Sequence, residues 1–140
     1  MAVEPQYLVD NSAWNRLKYD SVAARLRPLA DAGVIASCGA QDLEALYSAN
    51  SGDYESLRNE RLAIFTYLET EEADWQRALT VQRELAKKSQ HRGVKIVDLL
   101  TAAIAEHHGL VLLHYDSDYD RVAEVTGQRA DWVVPRGSAG

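Results

Sequence analysis

Apolar residues in this chain fall into short continuous runs separated by longer stretches with helical spacing. Tyr7-Leu8-Val9 reads as a buried strand, and Asn11-Ser12 behind it offers a helix N-cap. The pattern then predicts helix from about Ala13 to Ala32, broken near Asp20-Ser21, with Pro28 able to bend it and Gly33 as its stop. Val34 to Ala36 is a second strand candidate. From Gln41 to Asn50 the apolar positions Leu43, Leu46 and Tyr47 recur at helical spacing, and Ser51-Gly52 closes the segment. More helix is expected from Asp53 to about Glu69, with Leu57, Leu62 and Phe65 apolar, and again from Thr70 to about Gln90. The latter opens on Glu71, Glu72 and Asp74 and closes on Lys87 and Lys88, which suits the helix dipole at both ends. His91-Arg92-Gly93 breaks it. Val97 to His108 is a strongly apolar helix with Gly109 at C′. Leu110 to Tyr115 is a strand, Asp118 to Thr126 a short helix, and Trp132-Val133-Val134 a last strand.

Strands alternating with helices point to an α/β fold with a parallel sheet flanked by helices. No internal repeat, low-complexity tract or linker divides the chain, so one domain over residues 1–140 is expected. With 46% hydrophobic and 26% charged residues, the composition is that of a globular protein and not a disordered one. The net charge of -6 argues against holding nucleic acid by bulk positive charge, though a metal ion and a local basic patch can offset repulsion at a nuclease site. Cys38 is the only cysteine, which excludes an intrachain disulfide and a Cys-rich zinc site. No apolar stretch reaches the roughly 20 residues of a membrane span, and the start Met1-Ala2-Val3-Glu4-Pro5 lacks the features of a secretory signal. A cytoplasmic protein with no membrane partner is therefore expected. Val134-Pro135-Arg136-Gly137-Ser138 resembles a thrombin-site remnant, yet it continues a plausible final strand, so its origin stays open.

The candidate chemistry lies in acids at the edges of apolar segments: Asp10 after the first strand, Glu44 in the Gln41–Asn50 stretch, Asp98 in the apolar helix, and Asp116 with Asp118 after the last long strand. In an open α/β sheet, ligands bind outside the carboxyl ends of the strands, so Asp10 and Asp116 can converge on one crevice. Carboxylates gathered there resist ionising together unless a cation holds them, and hard oxygen donors suit Mg²⁺ or Mn²⁺. Each acid also has a plainer explanation. Asp10 can serve a turn, Glu44 can be a solvated helix residue, and Asp98 can open its helix at the positive end of the dipole. Asp42, on the same helix as Glu44, is explained by dipole compensation.

Asp116-x-Asp118-x-Asp120 is not an EF-hand loop, because the required Gly and terminal Glu are missing. His91, His107, His108 and His114 lack the spacing of a zinc set. There is no nucleophile elbow for a serine triad on Ser12 and no Gly-rich phosphate loop. Trp14, Trp75 and Trp132 read as core or interface residues rather than base-stacking platforms.

The blocks Tyr7-Leu8-Val9-Asp10-Asn11-Ser12-Ala13-Trp14, Val97-Asp98-Leu99-Leu100-Thr101-Ala102-Ala103 and Leu113-His114-Tyr115-Asp116-Ser117-Asp118-Tyr119-Asp120 together resemble a PIN domain, and more narrowly the VapC-type toxins of bacterial toxin–antitoxin pairs. The resemblance covers almost the whole length. It implies a three-layer α/β/α sandwich and a Mg²⁺- or Mn²⁺-dependent endoribonuclease. On that pattern Asp10, Glu44, Asp98 and Asp116 match the acidic catalytic quartet, and Asp118 matches a further acid of the last loop. Asp10, Asp98, Asp116 and Asp118 are the implied metal ligands, with Ser12 as the hydroxyl residue supporting the first Asp. Two positions depart from the pattern: Asn11 and His114 stand where Thr is common. The resemblance further implies a homodimer and a cognate VapB-type antitoxin whose tail covers the acids.

For RNA contact the local candidates are Lys88 and Arg92, with Lys87 and Lys95 nearby and Arg16 and Lys18 beyond Asp10; their plainer role is solvated surface and helix-end compensation. Two other readings remain open. One is a Mg²⁺-dependent phosphotransfer domain, which would show a nucleophilic Asp with a nearby Lys or Thr. The other is an inactive PIN-like binding module, which would ordinarily show an incomplete acid set.

Overall fold

In the computed structural model, which describes residues 3–140, five parallel strands form one sheet in the order β3-β2-β1-β4-β5. Met1 and Ala2, the start of the segment read for a secretory signal, lie outside the described residues. Strand β1 (Tyr7–Val9) leads into the short helix α1 (Asn11–Trp14) and then α2 (Asp20–Asp31), β2 (Ile35–Cys38) and α3 (Gly39–Tyr47). Helix α4 (Tyr54–Ile64), β3 (Thr66–Leu68) and α5 (Glu72–Lys87) follow, then a 3₁₀ turn at His91–Gly93. The chain ends with α6 (Ile96–His107), β4 (Val111–His114), α7 (Asp118–Thr126) and β5 (Ala130–Trp132).

Period-two alternation buries both faces of the sheet, as expected of parallel strands with helices on each side. In β1, Leu8 faces a core shared with α5, α6 and α7, whereas Val9 faces a second core shared with α2. The same split holds for Leu112 and Leu113 in β4, and for Ala36 and Ile35 in β2. This is the α/β/α sandwich that the alternation of elements and the PIN resemblance predict. Because β2 and β3 lie on one side of β1 while β4 and β5 lie on the other, the topological switch point falls between β1 and β4. Asp10 and Asp116 follow those two strands.

Several local expectations need correction. The third strand lies inside the segment predicted as helix from Asp53 to Glu69. It is a short edge strand with Thr66 and Tyr67 exposed, too brief to show alternation. Helix α2 reaches Asp31 despite Pro28, and the break before it spans Asn15 to Tyr19, slightly earlier than expected. The N-cap of α1 is Asp10 itself, whose carboxylate accepts from Ser12 N–H, rather than Asn11 or Ser12. On α3, Leu43 and Tyr47 point outward at 71% and 92% exposure, while Gln41 and Leu46 are buried. The final strand is Ala130–Trp132, and Val133 and Val134 pack into the core just beyond it.

Gly109 links α6 to β4 with φ of +66°, a left-handed backbone that costs an L side chain about 1 kcal/mol. Gly109→Ala should therefore lower stability in urea titrations by about 1 kcal/mol while leaving cation binding unchanged, since no atom crowds the position.

Candidate metal centre

Asp98, Asp116 and Asp118 each present a ligand oxygen such that the three atoms lie within 4.8 Å of one another. Asp98 sits in the first turn of α6, near the positive end of that helix, and is 4% exposed. It does not cap the helix; Oδ1 lies 3.2 Å from the Tyr119 hydroxyl, and Oδ2 is buried with no protein partner. Asp116 leaves β4, and its Oδ1 accepts from Asp118 N–H at 2.9 Å, which fixes the loop that opens α7.

Asp10 stands behind this trio rather than within it. Its Oδ1 accepts from Tyr119 Oη at 2.6 Å and from Gln41 Nε2 at 2.7 Å, and its Oδ2 accepts from Ser12 N–H at 2.9 Å. The Tyr119 hydroxyl thus bridges Asp10 and Asp98. Glu44 reaches the same side, where its Oε1 accepts from Asn11 Nδ2 at 3.1 Å.

Gln41 and Tyr119, both 0% exposed, are functional candidates that the sequence reading missed. Gln41 Nε2 donates to Asp10 and to Thr101 Oγ1, and Gln41 Oε1 accepts from Asn11 N–H, so the amide is used on both sides. Their partners are distant in sequence, so spacing carries no trace of them. No local signal marks either residue: Gln41 precedes the positions Leu43, Leu46 and Tyr47 read as the apolar face, and Tyr119 stands between Asp118 and Asp120.

Ser12 supports Asp10 through its backbone N–H, while its hydroxyl accepts from Tyr115 N–H at 2.9 Å and so ties α1 to the exit of β4. His114, which stands where Thr is common, is fully buried, and its Nδ1 accepts from Asp116 N–H at 3.2 Å. A nitrogen that accepts carries no proton, so the ring is neutral in this arrangement. Burial lowers the His114 pKa, with the nearby Asp120, Asp10 and Asp116 charges opposing that shift.

Burial raises the Asp98 pKa from 3.8 to about 7, with further contributions from the Asp10 and Asp116 charges. Burial also raises the Asp118 pKa, helped by Asp116 and opposed by Arg121 and Lys95. Arg121 pairs with Asp118 at 3.1 Å, whereas among the described residues no lysine or arginine lies within 4 Å of the Asp10, Asp98 or Asp116 carboxylates. Crowded oxygens, a buried one without a partner, and the lack of a basic partner at Asp98 and Asp116 together fit a hard divalent cation. The basic residues that act on Asp118 are Lys95 and Arg121. Lys88 is exposed and lies 3.5 Å from Glu124, and Arg92 is exposed on the 3₁₀ turn.

A second acidic group, Glu71, Asp74 and His107, lies at the far end of α6 from Asp98. It is accounted for by structure: Glu71 and Asp74 form the capping box of α5, and His107 closes α6 against Asp74 at 2.9 Å. Asp42 is likewise structural, held by buried Arg61 at 2.9 Å and by Ser37 at 2.8 Å.

The PIN domain family model matches residues 7–125. Ribonuclease VapC21 of Mycobacterium tuberculosis is 44% identical over 135 residues, covering 96% of this chain and 98% of that protein. Ribonuclease VapC51 of the same organism is 46% identical over 134 residues, covering 95% and 96%. Among solved structures, the DNA-bound VapBC of Salmonella typhimurium superposes with a TM-score of 0.77 at 15% identity, covering 93% of this chain and 99% of that one. No helix of the described residues is long and apolar enough to cross a membrane.

Proposed function

Since the chain belongs to the PIN-domain family and groups with its VapC-type ribonucleases, we propose that it is a divalent-cation-dependent endoribonuclease, the toxin of a VapBC-type pair. The observation that carries this reading is the meeting of Asp98, Asp116 and Asp118 at the switch point, with Asp10 joined to them through Tyr119. The whole chain acts as one domain.

Asp98, Asp116 and Asp118 would hold the ion, with Asp10 completing the acidic wall. Mg²⁺ or Mn²⁺ bound there would supply Lewis acidity, making water more acidic and offsetting charge on phosphoryl oxygens. Gln41 and Tyr119 keep Asp10 oriented, and Glu44, held by Asn11, orients the attacking water. His114 and the Asp118 N–H hold the Asp116 loop in place. Asp10 already accepts three hydrogen bonds, which disfavours its use as a phosphotransfer nucleophile.

The toxin role entails a VapB-type antitoxin and a homodimer. Two exposed apolar patches suit such partners. A cleft of about 530 Å³ lined by Leu43, Leu62 and Tyr67 adjoins the helix that carries Glu44, and it is assigned to the antitoxin segment that reaches the acids. Trp75, Leu79 and Ile96 line the other, between α5 and α6, assigned to the homodimer. Lys88 and Arg92 serve as outer RNA contacts, with Lys95 and Arg121 nearer the acids.

Cleavage of a mixed single-stranded RNA should require Mg²⁺ or Mn²⁺, stop in EDTA, and fall by about 100-fold or more in Asp116→Asn. Full activity in EDTA, or in Asp116→Asn, would overturn the proposal.

A further inference from the structure

An open cleft of about 520 Å³ has Asp116 in its wall together with Ser12, Arg16, Tyr115, Trp132 and Arg136. The C-terminal segment builds one side of it. Ala139 N–H donates to the Tyr115 hydroxyl at 2.9 Å, Arg16 Nε donates to the Ala139 carbonyl at 3.1 Å, and Ala139 is buried. Gly137, at φ of +85°, reverses the chain so that Arg136 stands over the Trp132 ring, 5.6 Å from its centroid. Arg16 lies over Tyr115 at 4.4 Å. Among the described residues, neither arginine has a carboxylate within 4 Å. Arg16 donates instead to the backbone carbonyls of Ser12 and Ala139.

A protein of net charge -6 that cuts a polyanion needs uncompensated cations close to its acids. Here two of them share a cleft with Asp116, each laid on an aromatic ring that sets its direction while leaving its charge unneutralised. We propose that the Arg16–Tyr115–Trp132–Arg136 cleft is a subsite for single-stranded RNA, binding the phosphate and base of a nucleotide next to the scissile bond. The guanidinium groups take the phosphate at their N–H edges, and the Arg136 plane, backed by Trp132, stacks on the base. Arg121 and Lys95 act on Asp118, whereas Arg16 and Arg136 share the cleft with Asp116, so the strand passes over the cluster between two basic groups. The inference rests on the ribonuclease reading and names the track its substrate follows.

The test is fluorescence anisotropy of the full chain with a fluorescein-labelled, mixed-sequence 12-nucleotide RNA in EDTA across a KCl series, paired with cleavage kinetics in Mg²⁺. Arg136 is exposed, so its variants keep the fold, which circular dichroism checks. Arg136→Ala should weaken binding about three- to tenfold and lower the salt slope by about 0.7, and Arg136→Glu should weaken it further. In cleavage, KM should rise while kcat changes little. Unchanged affinity, slope and KM in both variants would overturn the subsite while leaving a cleaving wild type intact. If both variants keep RNA affinity but lose binding of a hexaglutamate peptide, the cleft takes an acidic protein segment and the subsite falls. A wild type that binds RNA with this Arg136 dependence yet cleaves none would instead sink the ribonuclease reading and leave the cleft standing.

Discussion

Asp98→Asn should make the cation-free protein more stable at pH 8 while removing its response to divalent cations and its RNA cleavage. The sign follows from the protonation states. An unfolded chain loses this proton near the ordinary carboxylate value of 3.8, whereas the folded protein retains it up to about pH 7. Between those values the native state binds more protons than the unfolded state, so stability falls as pH rises through the window and stays lowered above it. Raising a pKa from 3.8 to about 7 corresponds to about 4 kcal/mol, an upper figure for the cost of ionising Asp98 in its buried place beside the Asp10 and Asp116 charges. Asn has the same shape and no charge, so thermal unfolding at pH 8 in EDTA should shift up by about 5–10 °C. At pH 4 the difference should nearly vanish. In wild type, Mn²⁺ should raise the melting temperature most above pH 7, and in Asp98→Asn it should raise it little. A variant less stable than wild type at pH 8 would mean that the ionised carboxylate is compensated by groups of the protein itself.

Tyr119→Phe should separate orientation of the acids from packing. The ring fills the core between the sheet and α6, and Phe retains it. Only the hydroxyl is lost, which leaves Asp10 Oδ1 with Gln41 as its remaining side-chain donor and Asp98 Oδ1 with no protein partner. Removing an outer partner of a ligand typically weakens metal affinity or activity by about 10- to 100-fold, and losses of that size are expected in both Mn²⁺ affinity and kcat. Stability in EDTA should fall by about 1–3 kcal/mol from the broken buried hydrogen bonds. Calorimetric Mn²⁺ titration and urea unfolding report the two effects separately. Unchanged Mn²⁺ affinity alongside lost stability would reduce Tyr119 to a core residue.

Much of the scaffold is legible in the sequence because its signals are local and strong. Helix α5 carries acids at one end and lysines at the other, α6 is apolar nearly all round with Gly109 behind it, and β1 and β4 are compact apolar runs followed within two residues by an acid. The edge strand β3 is not legible, since a short strand with two exposed side chains has no period to detect. Exposed Leu43 and Tyr47 misdirect the reading of α3 because they mark a surface left open to solvent, while the face turned inward is held by the polar Gln41.

The acids themselves can be picked out by their places at segment edges, but not their division of labour. Asp118 joins Asp98 and Asp116 in the compact trio, and Asp10 stands one hydroxyl away. That arrangement depends on Tyr119 and Gln41, whose partners lie on other elements across the fold. Arg16 was among the basic candidates for RNA contact, but Arg136 was not, because only the fold-back of the final residues brings it beside Asp116.

The most direct test is calorimetric titration of the cation-free protein with Mn²⁺ near pH 6, in two buffers of different ionisation enthalpy. Asp98 is then mostly protonated, so saturable binding should release close to one proton, and Asp98→Asn should show neither the binding nor the release. Absence of saturable binding to the wild type, or equal binding without proton release in both proteins, would contradict a cation held by these carboxylates.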